Sequence, residues 1–435
     1  MKTYLVKDKN KYNKYTYRTL DLAMEKSGVE LVSPRNADLF LVSVDDPDDF
    51  SLVKKARQMA GGRPVIAGGF EGFGGEYLLS YVNGVNVGEG FEFLDELGKA
   101  KDVESLLELP YILTASKSIV YPSTVIHFEK LPLVRLGKQL WYYLAGRGCK
   151  GKCAFCETGY VYPRWHNTKR NILSALNHVE KKKHRLTLIT NDSAEILSIT
   201  KTRCVQSVRV RDYLKEPERF KSASMLHFGI EGFSEAQRRF FLKPIKDDDV
   251  WELIRITEYF KQQIELFFIT GIPGTFDAMM QFAASVPLSA LAYPRIFLKL
   301  TRLDPSPHTP LWTYDLQQLE SLTKAQLQEF KNVLKSRNIR FRIFQQRGNG
   351  RMSWRAALRR CSPSEAVAVG TQPKSSDSEH AFFLRLYQDG LSHLLTYDNR
   401  PMPNSQIVTP WRNMRDRVAN NLNMPVVNYK VDANV

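Results

Sequence analysis

The sequence predicts an α/β protein: an N-terminal doubly wound parallel-sheet domain over 1–125, a partial (βα)6 TIM-type barrel over 126–312, and a basic C-terminal extension over 313–435. Three observations carry this reading. Strand-like apolar runs alternate with helical spacing through the first two segments, and glycines follow several of those runs directly. Charge is also divided: up to Val125 there are 15 Lys and Arg against 18 Asp and Glu, and after it 47 against 28. With 43% hydrophobic and 25% charged residues, the chain is neither disordered nor fibrous.

In the first segment, 37–44 (ADLFLVSV) reads as a buried strand, 50–62 as a helix closed by Gly61 and Gly62, and 64–69 (PVIAGG) as a second buried strand. A short helix over 76–84, a strand over 85–87 and the turn Gly88-Glu89-Gly90 follow. Gly68, Gly69 and the Gly88–Gly90 turn then lie at the carboxyl edge of the sheet, where such folds bind ligands, unless they serve only as tight turns. A linker with Pro110, Pro122 and Pro132 leads to six strand candidates at 139–148, 185–192, 205–213, 225–232, 264–271 and 295–303. Helical spacing at 171–183 and 248–263 fits between them, and a helix over 324–337 follows. No apolar run approaches the ~20 residues that span a bilayer, and no secretory signal is read at the N-terminus. The expectation is a protein of the cytoplasm, or of the host cytoplasm if the chain is viral, with no membrane partner.

Five cysteines are too few for a disulfide framework, and three of them, Cys149, Cys153 and Cys156, form CxxxCxxC directly after the first barrel strand. Three thiolates on a [4Fe-4S] cluster leave one iron open to a substrate, whereas structural zinc would recruit a fourth ligand, for which His166 is the candidate. Lys150 and Lys152 offset thiolate charge, and Cys204 and Cys361 stand apart. From Arg337 to Arg360 there are eight arginines and no Lys, Asp or Glu, interleaved with Phe341, Phe344 and Trp354. Such a set binds phosphates and stacks on bases, or forms a solvated basic surface, or pairs with acids elsewhere in the fold.

These residues resemble the radical S-adenosylmethionine (SAM) superfamily, whose signature CxxxCxΦC places an aromatic, here Phe155, before the last cysteine. The resemblance runs from Gln139 to about Leu311 through CAFCETGYVYPRWHN, SVRVRDY, GIEGFSEAQRRFFLKPI, ITGIPGT and PSPHTPL, and the order of elements is similar to the branch with an N-terminal cobalamin-binding-like domain. It implies that the three cysteines bind [4Fe-4S], that the open iron chelates SAM, and that reductive cleavage, fed by an electron donor such as flavodoxin or ferredoxin, yields a 5′-deoxyadenosyl radical. It further implies that Asn191 and Asp192, with Thr190 and Ser193, stand where the family holds the methionine amino group, although the usual Gly-Gly-Glu is missing. Arg209 would meet the SAM carboxylate and Glu231 the ribose hydroxyls, or the two form an ion pair between strands; Gly271, with Gly274, would let backbone approach adenine, or simply turn. His308 lies at the barrel mouth, and Tyr160, Tyr162, Arg164, Trp165 and His166 either hold a base or cover the cluster.

The N-terminal segment resembles a cobalamin-binding domain but has no DxHxxG, and the first histidine of the chain is His127, so residues 1–126 offer cobalt no imidazole. Cobalamin is therefore not expected there, and a scaffold role is. With no cysteine before Cys149, a second cluster of the methylthiotransferase kind has no ligands. The expected substrate is a nucleobase in nucleic acid or a related nucleotide. One group of this build, encoded by phages, isomerises hypermodified thymidine in DNA; tRNA or rRNA modification, a peptide or small metabolite, and a non-catalytic nucleic-acid binder are the alternatives.

Overall fold

A computed structural model describes residues 1–395 except 8–13, 118–122, 124, 125, 127, 129, 130, 162–164, 192–195, 197–205, 222, 224, 287–295, 308, 338–341, 346–348 and 371–378. The N-terminal domain runs β1 (Lys2–Val6), α1 (Lys14–Lys26), β2 (Glu30–Leu31), β3 (Leu39–Ser43), α2 (Phe50–Ala60), β4 (Val65–Gly68), a 3-10 segment (Phe70–Ser80), β5 (Gly84–Asn86), α3 (Gly90–Lys99), α4 (Val103–Leu107) and β6 (Ile112–Leu113). Its sheet has the order β2-β1-β3-β4-β5-β6, parallel except for β6 against β5. This is a doubly wound sheet whose order reverses at β1 and β3, so a crevice opens outside their carboxyl ends. The predicted strands at 37–44 and 64–69 are β3 and β4; β1, α1 and β2 were not read from the sequence. The helix expected at 76–84 is instead the end of the glycine-interrupted 3-10 segment, since Gly72, Gly74 and Gly75 deprive it of α-helical propensity.

Side chains alternate across this sheet. Leu5, Leu39, Leu41 and Ile66 pack on one face with Phe93 and Leu97 of α3. Val6, Phe40, Val42, Val65 and Ala67 face the other way, into a core that continues through Phe241, Leu303 and Leu311 to Trp354, Leu358 and Leu386. One apolar cluster thus draws on all three predicted segments.

The barrel part comprises β7 (Val134–Arg135), β8 (Leu140–Leu144), β9 (Gly146–Arg147), α5 (Thr158–Val161), β10 (Trp165–His166), α6 (Lys169–Glu180), β11 (Arg185–Ile189), β12 (Gln206–Ser207), α7 (Val210–Lys215), β13 (Met225–Glu231), α8 (Glu235–Phe240), α9 (Asp247–Tyr259), β14 (Gln263–Thr270), α10 (Thr275–Ser285) and β15 (Ile296–Arg302). After it come α11 (Lys324–Ser336), β16 (Arg342–Gln345), α12 (Asn349–Arg359), α13 (Pro363–Val369) and α14 (Glu379–Gln388). β8 pairs parallel with β11, and β12 to β16 form a second, wholly parallel sheet. All six predicted strands are present. The third is short: Arg209 caps α7, so the VRDY expected to be extended is helical.

The C-terminal segment departs from an extension. β16, inside the arginine-rich stretch, adds a parallel strand beside β15. In α12, Trp354 is buried, and Arg359 and Arg355 meet Asp304 at 2.9 and 3.4 Å, Arg355 also facing Asp46 at 4.0 Å. The Arg360 guanidinium donates to the carbonyls of Trp312, Tyr314, Leu394 and Leu395, and Arg337 to those of Ala283 and Val286. Of the alternatives open for this stretch, internal pairing is what these four arginines do. Phe341 and the side chains of Phe344 and Arg351 lie outside the described residues.

Candidate active site

β9 ends at Arg147, and the chain turns through Gly148 (φ 83°) into the cysteine loop at the carboxyl edge of the barrel strands. The loop is held by main chain on both sides: Ala154 N–H donates to Phe241 O at 3.0 Å and Leu311 N–H to Ala154 O at 3.1 Å. Two glycines make its turns possible. A Cβ on Gly159 would sit 1.8 Å from Gly151 O, and one on Gly151 would sit 3.3 Å from Cys149 Sγ and 3.6 Å from Cys153 Sγ. Lys152 donates to Gly159 O, and Tyr160 Oη donates to Lys152 O at 2.9 Å. Phe155 stands edge-on to Phe241, 5.6 Å between ring centroids, so the signature aromatic anchors the loop to the core.

Cys153 and Cys156 share a buried environment. Burial pushes Cys153 up to about 11, with Cys156, Glu231 and Cys149 pushing the same way and Lys243 pulling it down. Cys156 is also raised, chiefly by burial, against hydrogen bonds from Thr158. Each thiol must shed its proton to ligate metal, so loading this loop releases protons. Among the described residues no three Cys, His, Asp or Glu side chains gather about a single ion. Three cysteines on one loop, with Arg209 beside Cys149 and Lys243 beside Cys153 and Cys156 to offset thiolate charge, match the donor set of a cluster that keeps one iron open. The residues present therefore fit a [4Fe-4S] cluster.

The residues expected around SAM reach this loop by several routes. Asn191, just past β11, accepts the Gly148 N–H at its Oδ1 (3.1 Å) and fixes the entry to the loop. Arg209 Nη2 donates to Cys149 Sγ at 3.5 Å, so its guanidinium faces the first cysteine of the loop and is not paired with Glu231. Glu231 ends β13 at a bulge with φ 71°, strained for a non-glycine residue, and its Oε1 accepts from Lys243 at 2.8 Å. Lys243 also donates to Gly229 O at 2.9 Å. Burial is the largest influence on this ammonium and pulls it down, but Glu231, Cys153 and Cys156 together hold it above its ordinary value. Lys243 was not singled out from the sequence; its signal was its place in the GIEGFSEAQRRFFLKPI block. Arg238, wholly buried, was missed likewise: it ties Gly232 O, Ile245 O and Asp247, bracing the turn that carries Lys243. Gly271 has φ 100°, and a Cβ there would lie 2.9 Å from Arg302 Cγ. What presses on Gly271 here is Arg302, and its carbonyl accepts Glu320 N–H at 2.7 Å. Asp192, Ser193, His308, Tyr162, Arg164, Cys204 and the side chains of Trp165 and His166 lie outside the described residues.

A second feature lies at the carboxyl edge of the N-terminal sheet. A cavity of about 390 Å³ is lined there by Ser43, Gly68, Gly69, Gly88, Glu89 and Phe91, and by Leu144, Arg147 and Ile189 of the barrel. The glycines picked from the sequence do border a ligand-sized space. Glu89 and Arg147 pair across it at 3.0 Å; burial pushes the Glu89 carboxyl above its usual range, with Arg147 opposing.

No protein-family model and no curated protein matches the sequence. Among solved structures, the radical SAM methyltransferase TsrM from Kitasatospora setae, with cobalamin and a [4Fe-4S] cluster bound, superposes with a TM-score of 0.58 at 12% identity, over 73% of this chain and 78% of that one. TsrM with tryptophan substrate and a SAM analogue gives 0.55 at 12% identity, over 68% and 72%. The cobalamin-dependent radical SAM enzyme OxsB, with aqua-cobalamin and SAM, gives 0.52 at 12% identity, over 97% and 80%. The chain thus has the fold of radical SAM enzymes that carry an N-terminal cobalamin-binding-type domain. Among the described residues no helix is long and apolar enough to cross a membrane.

Proposed function

We propose that this protein is a radical SAM enzyme that modifies or isomerises a nucleobase, with nucleic acid as the substrate polymer. The observation that carries the enzyme reading is the three-cysteine loop at the carboxyl edge of the barrel, backed by Arg209 and the Glu231–Lys243 pair. Cys149, Cys153 and Cys156 would hold a [4Fe-4S] cluster, which supplies one electron for reductive cleavage of SAM. The chain's own residues have distinct tasks. Arg209 lowers the charge at Cys149, Lys243 does so at Cys153 and Cys156, and Asn191 sets the loop entry. Phe155 and Phe241 keep water from the buried side of the loop. Nucleic acid is favoured by the net charge of +16 with its excess after Val125, and a base in a duplex would need flipping to reach the barrel mouth. Hypermodified thymidine in phage DNA is the first candidate substrate, and tRNA or rRNA the alternative, represented in the test by tRNA.

A second reading is favoured by the cavity beside Glu89: cobalamin, or another ligand with an apolar edge group, seated against the N-terminal sheet. The cavity could take part of such a molecule, but residues 1–126 give cobalt no imidazole. The test is anaerobic: reconstitute iron and sulfide, add SAM and reductant, and follow 5′-deoxyadenosine with no polymer, with tRNA, and with plain or thymine-modified DNA, each with and without hydroxocobalamin. Formation that rises with one polymer supports the nucleobase reading. Equal formation without polymer turns it toward a peptide or small metabolite, and formation or S-adenosylhomocysteine release that depends on cobalamin favours the second reading.

A further inference from the structure

The arginine-rich stretch is largely spent on internal contacts, so a polyanion must find its cations elsewhere. Residues 168–185 carry Lys169, Arg170, Lys181, Lys182, Lys183 and Arg185 against a single acid, Glu180. All six cations are exposed, and among the described residues none makes an ion pair. Lys169, Arg170, Ser174, Asn177, His178 and Lys181 line one shallow groove along α6.

Geometry orders this face. α6 begins on the cysteine-loop side of the barrel and ends beside the amino end of β11, so Lys169 and Arg170 stand at one end and Lys181, Lys182 and Lys183 at the other, ~18 Å away, with His178 between them on the outside. At the far end Trp141 gathers more of them, with Lys182 5.1 Å and Arg135 5.8 Å from its ring centre and His178 edge-on at 5.6 Å. The indole N–H donates to His184 Nδ1 at 2.9 Å, fixing that ring in the cluster. An ordinary solvent face mixes both signs, because a single-sign face repels itself; this one keeps its repulsion, which a polyanion would relieve.

We infer that the α6 ridge, from Lys169 to Lys183, is the phosphate-binding surface that holds a nucleic-acid backbone while a base enters the barrel mouth. This rests on the nucleobase reading above and adds where the polymer lies. Contacts to phosphate are sequence-blind and release counterions, so they set the salt dependence of binding.

The experiment measures fluorescence anisotropy of labelled tRNA and duplex DNA against the full-length protein over a range of salt, with SAM cleavage assayed in parallel. The ridge variant is Arg170→Ala, Lys181→Ala, Lys182→Ala, Lys183→Ala. The control, Lys324→Ala, Lys331→Ala, Lys335→Ala, removes three charges from the exposed face of α11. The ridge variant should bind roughly tenfold or more weakly, with a log–log salt slope shallower by about 3, while the control stays near wild type. Equal weakening of both variants, or of neither, overturns the ridge; polymer-dependent SAM cleavage that persists then leaves the nucleobase reading standing. Wild type that binds anionic vesicles and neither polymer overturns the ridge as a nucleic-acid surface. If neither polymer binds nor stimulates cleavage, the nucleobase reading falls and the ridge falls with it.

Discussion

Glu89 and Glu231 hold corresponding places in two different sheets. Each lies buried at the carboxyl edge with a cation beside it, Arg147 at 3.0 Å and Lys243 at 2.8 Å. Their partners come from different directions. Arg147 reaches across from β9 of the barrel, so the first pair stitches two domains over a cavity; Lys243 comes from the turn after β13's own helix and faces the cysteines. In the first pair burial outweighs the arginine and the carboxyl stands high; in the second, one carboxylate and two cysteines outweigh burial and the lysine is held charged. The same residue chemistry thus gives one pair that can neutralise itself and one that is locked by its neighbours.

The largest effect that would sharpen this contrast is Lys243→Ala. It leaves Glu231 buried without a cation, and breaking such a pair costs about 3–5 kcal/mol, read from chemical denaturation of the apoprotein. A loss under about 1 kcal/mol would mean that Glu231 does not depend on its lysine, and the contrast would vanish. Arg147→Ala should cost less, about 2 kcal/mol at neutral pH, because Glu89 can take up a proton. Its sign follows from the raised carboxyl: stability from Glu89 is full below the ordinary glutamate value near ~4.3 and is lost as pH rises through the folded value. The deficit of this variant against wild type should therefore grow from acid toward neutral pH. A deficit that stays flat over that range would mean that Glu89 gains no charge across it, and the contrast with Glu231 would be lost. Smaller again is Gly229→Ala. Its Cβ would stand 2.3 Å from Glu231 Oε1 and 2.5 Å from Lys243 Nζ, pushing apart side-chain ends that can partly move, for about 1 kcal/mol in the same denaturation assay. No change there would mean that the pair does not rest on the strand as described.

The sequence made one half of this contrast visible. Cys149, Cys153 and Cys156 announce themselves by spacing, and the six barrel strands by buried apolar runs such as LFFIT in β14. Glu231 could be placed because it ends such a run. Lys243 could not, since a lysine twelve residues downstream shows its use only when the turn braced by Arg238 folds it back over Gly229. Glu89 was read as part of a turn, and its arginine lies 58 residues away, a distance no local pattern reports. The arginines between 337 and 360 show the same limit. As a string they resemble a nucleic-acid tail; yet Asp304, which holds Arg355 and Arg359, is followed by Pro305 in a loop with no periodicity to mark it. Arginine suits that use because its planar fork can satisfy several carbonyls at once, as Arg360 does.

The smallest expected change is in the other basic segment. Lys181→Ala, Lys182→Ala and Lys183→Ala together should alter stability by less than about 0.5 kcal/mol, measured by denaturation at low salt. These lysines are exposed and, among the described residues, lack ion pairs, so removing them exposes no buried acceptor and relieves some mutual repulsion. Lys183 sits at φ 54°, strained for alanine and lysine alike, so that substitution leaves the backbone cost unchanged. Lys182 gives up its approach to Trp141, a solvent-exposed cation–π contact of about 0.5 kcal/mol at most, which the lost repulsion offsets. A destabilisation near that expected for Lys243→Ala would mean that these charges pair within the fold as Arg355 and Arg359 do, and that a charge run in this chain reports packing wherever it occurs.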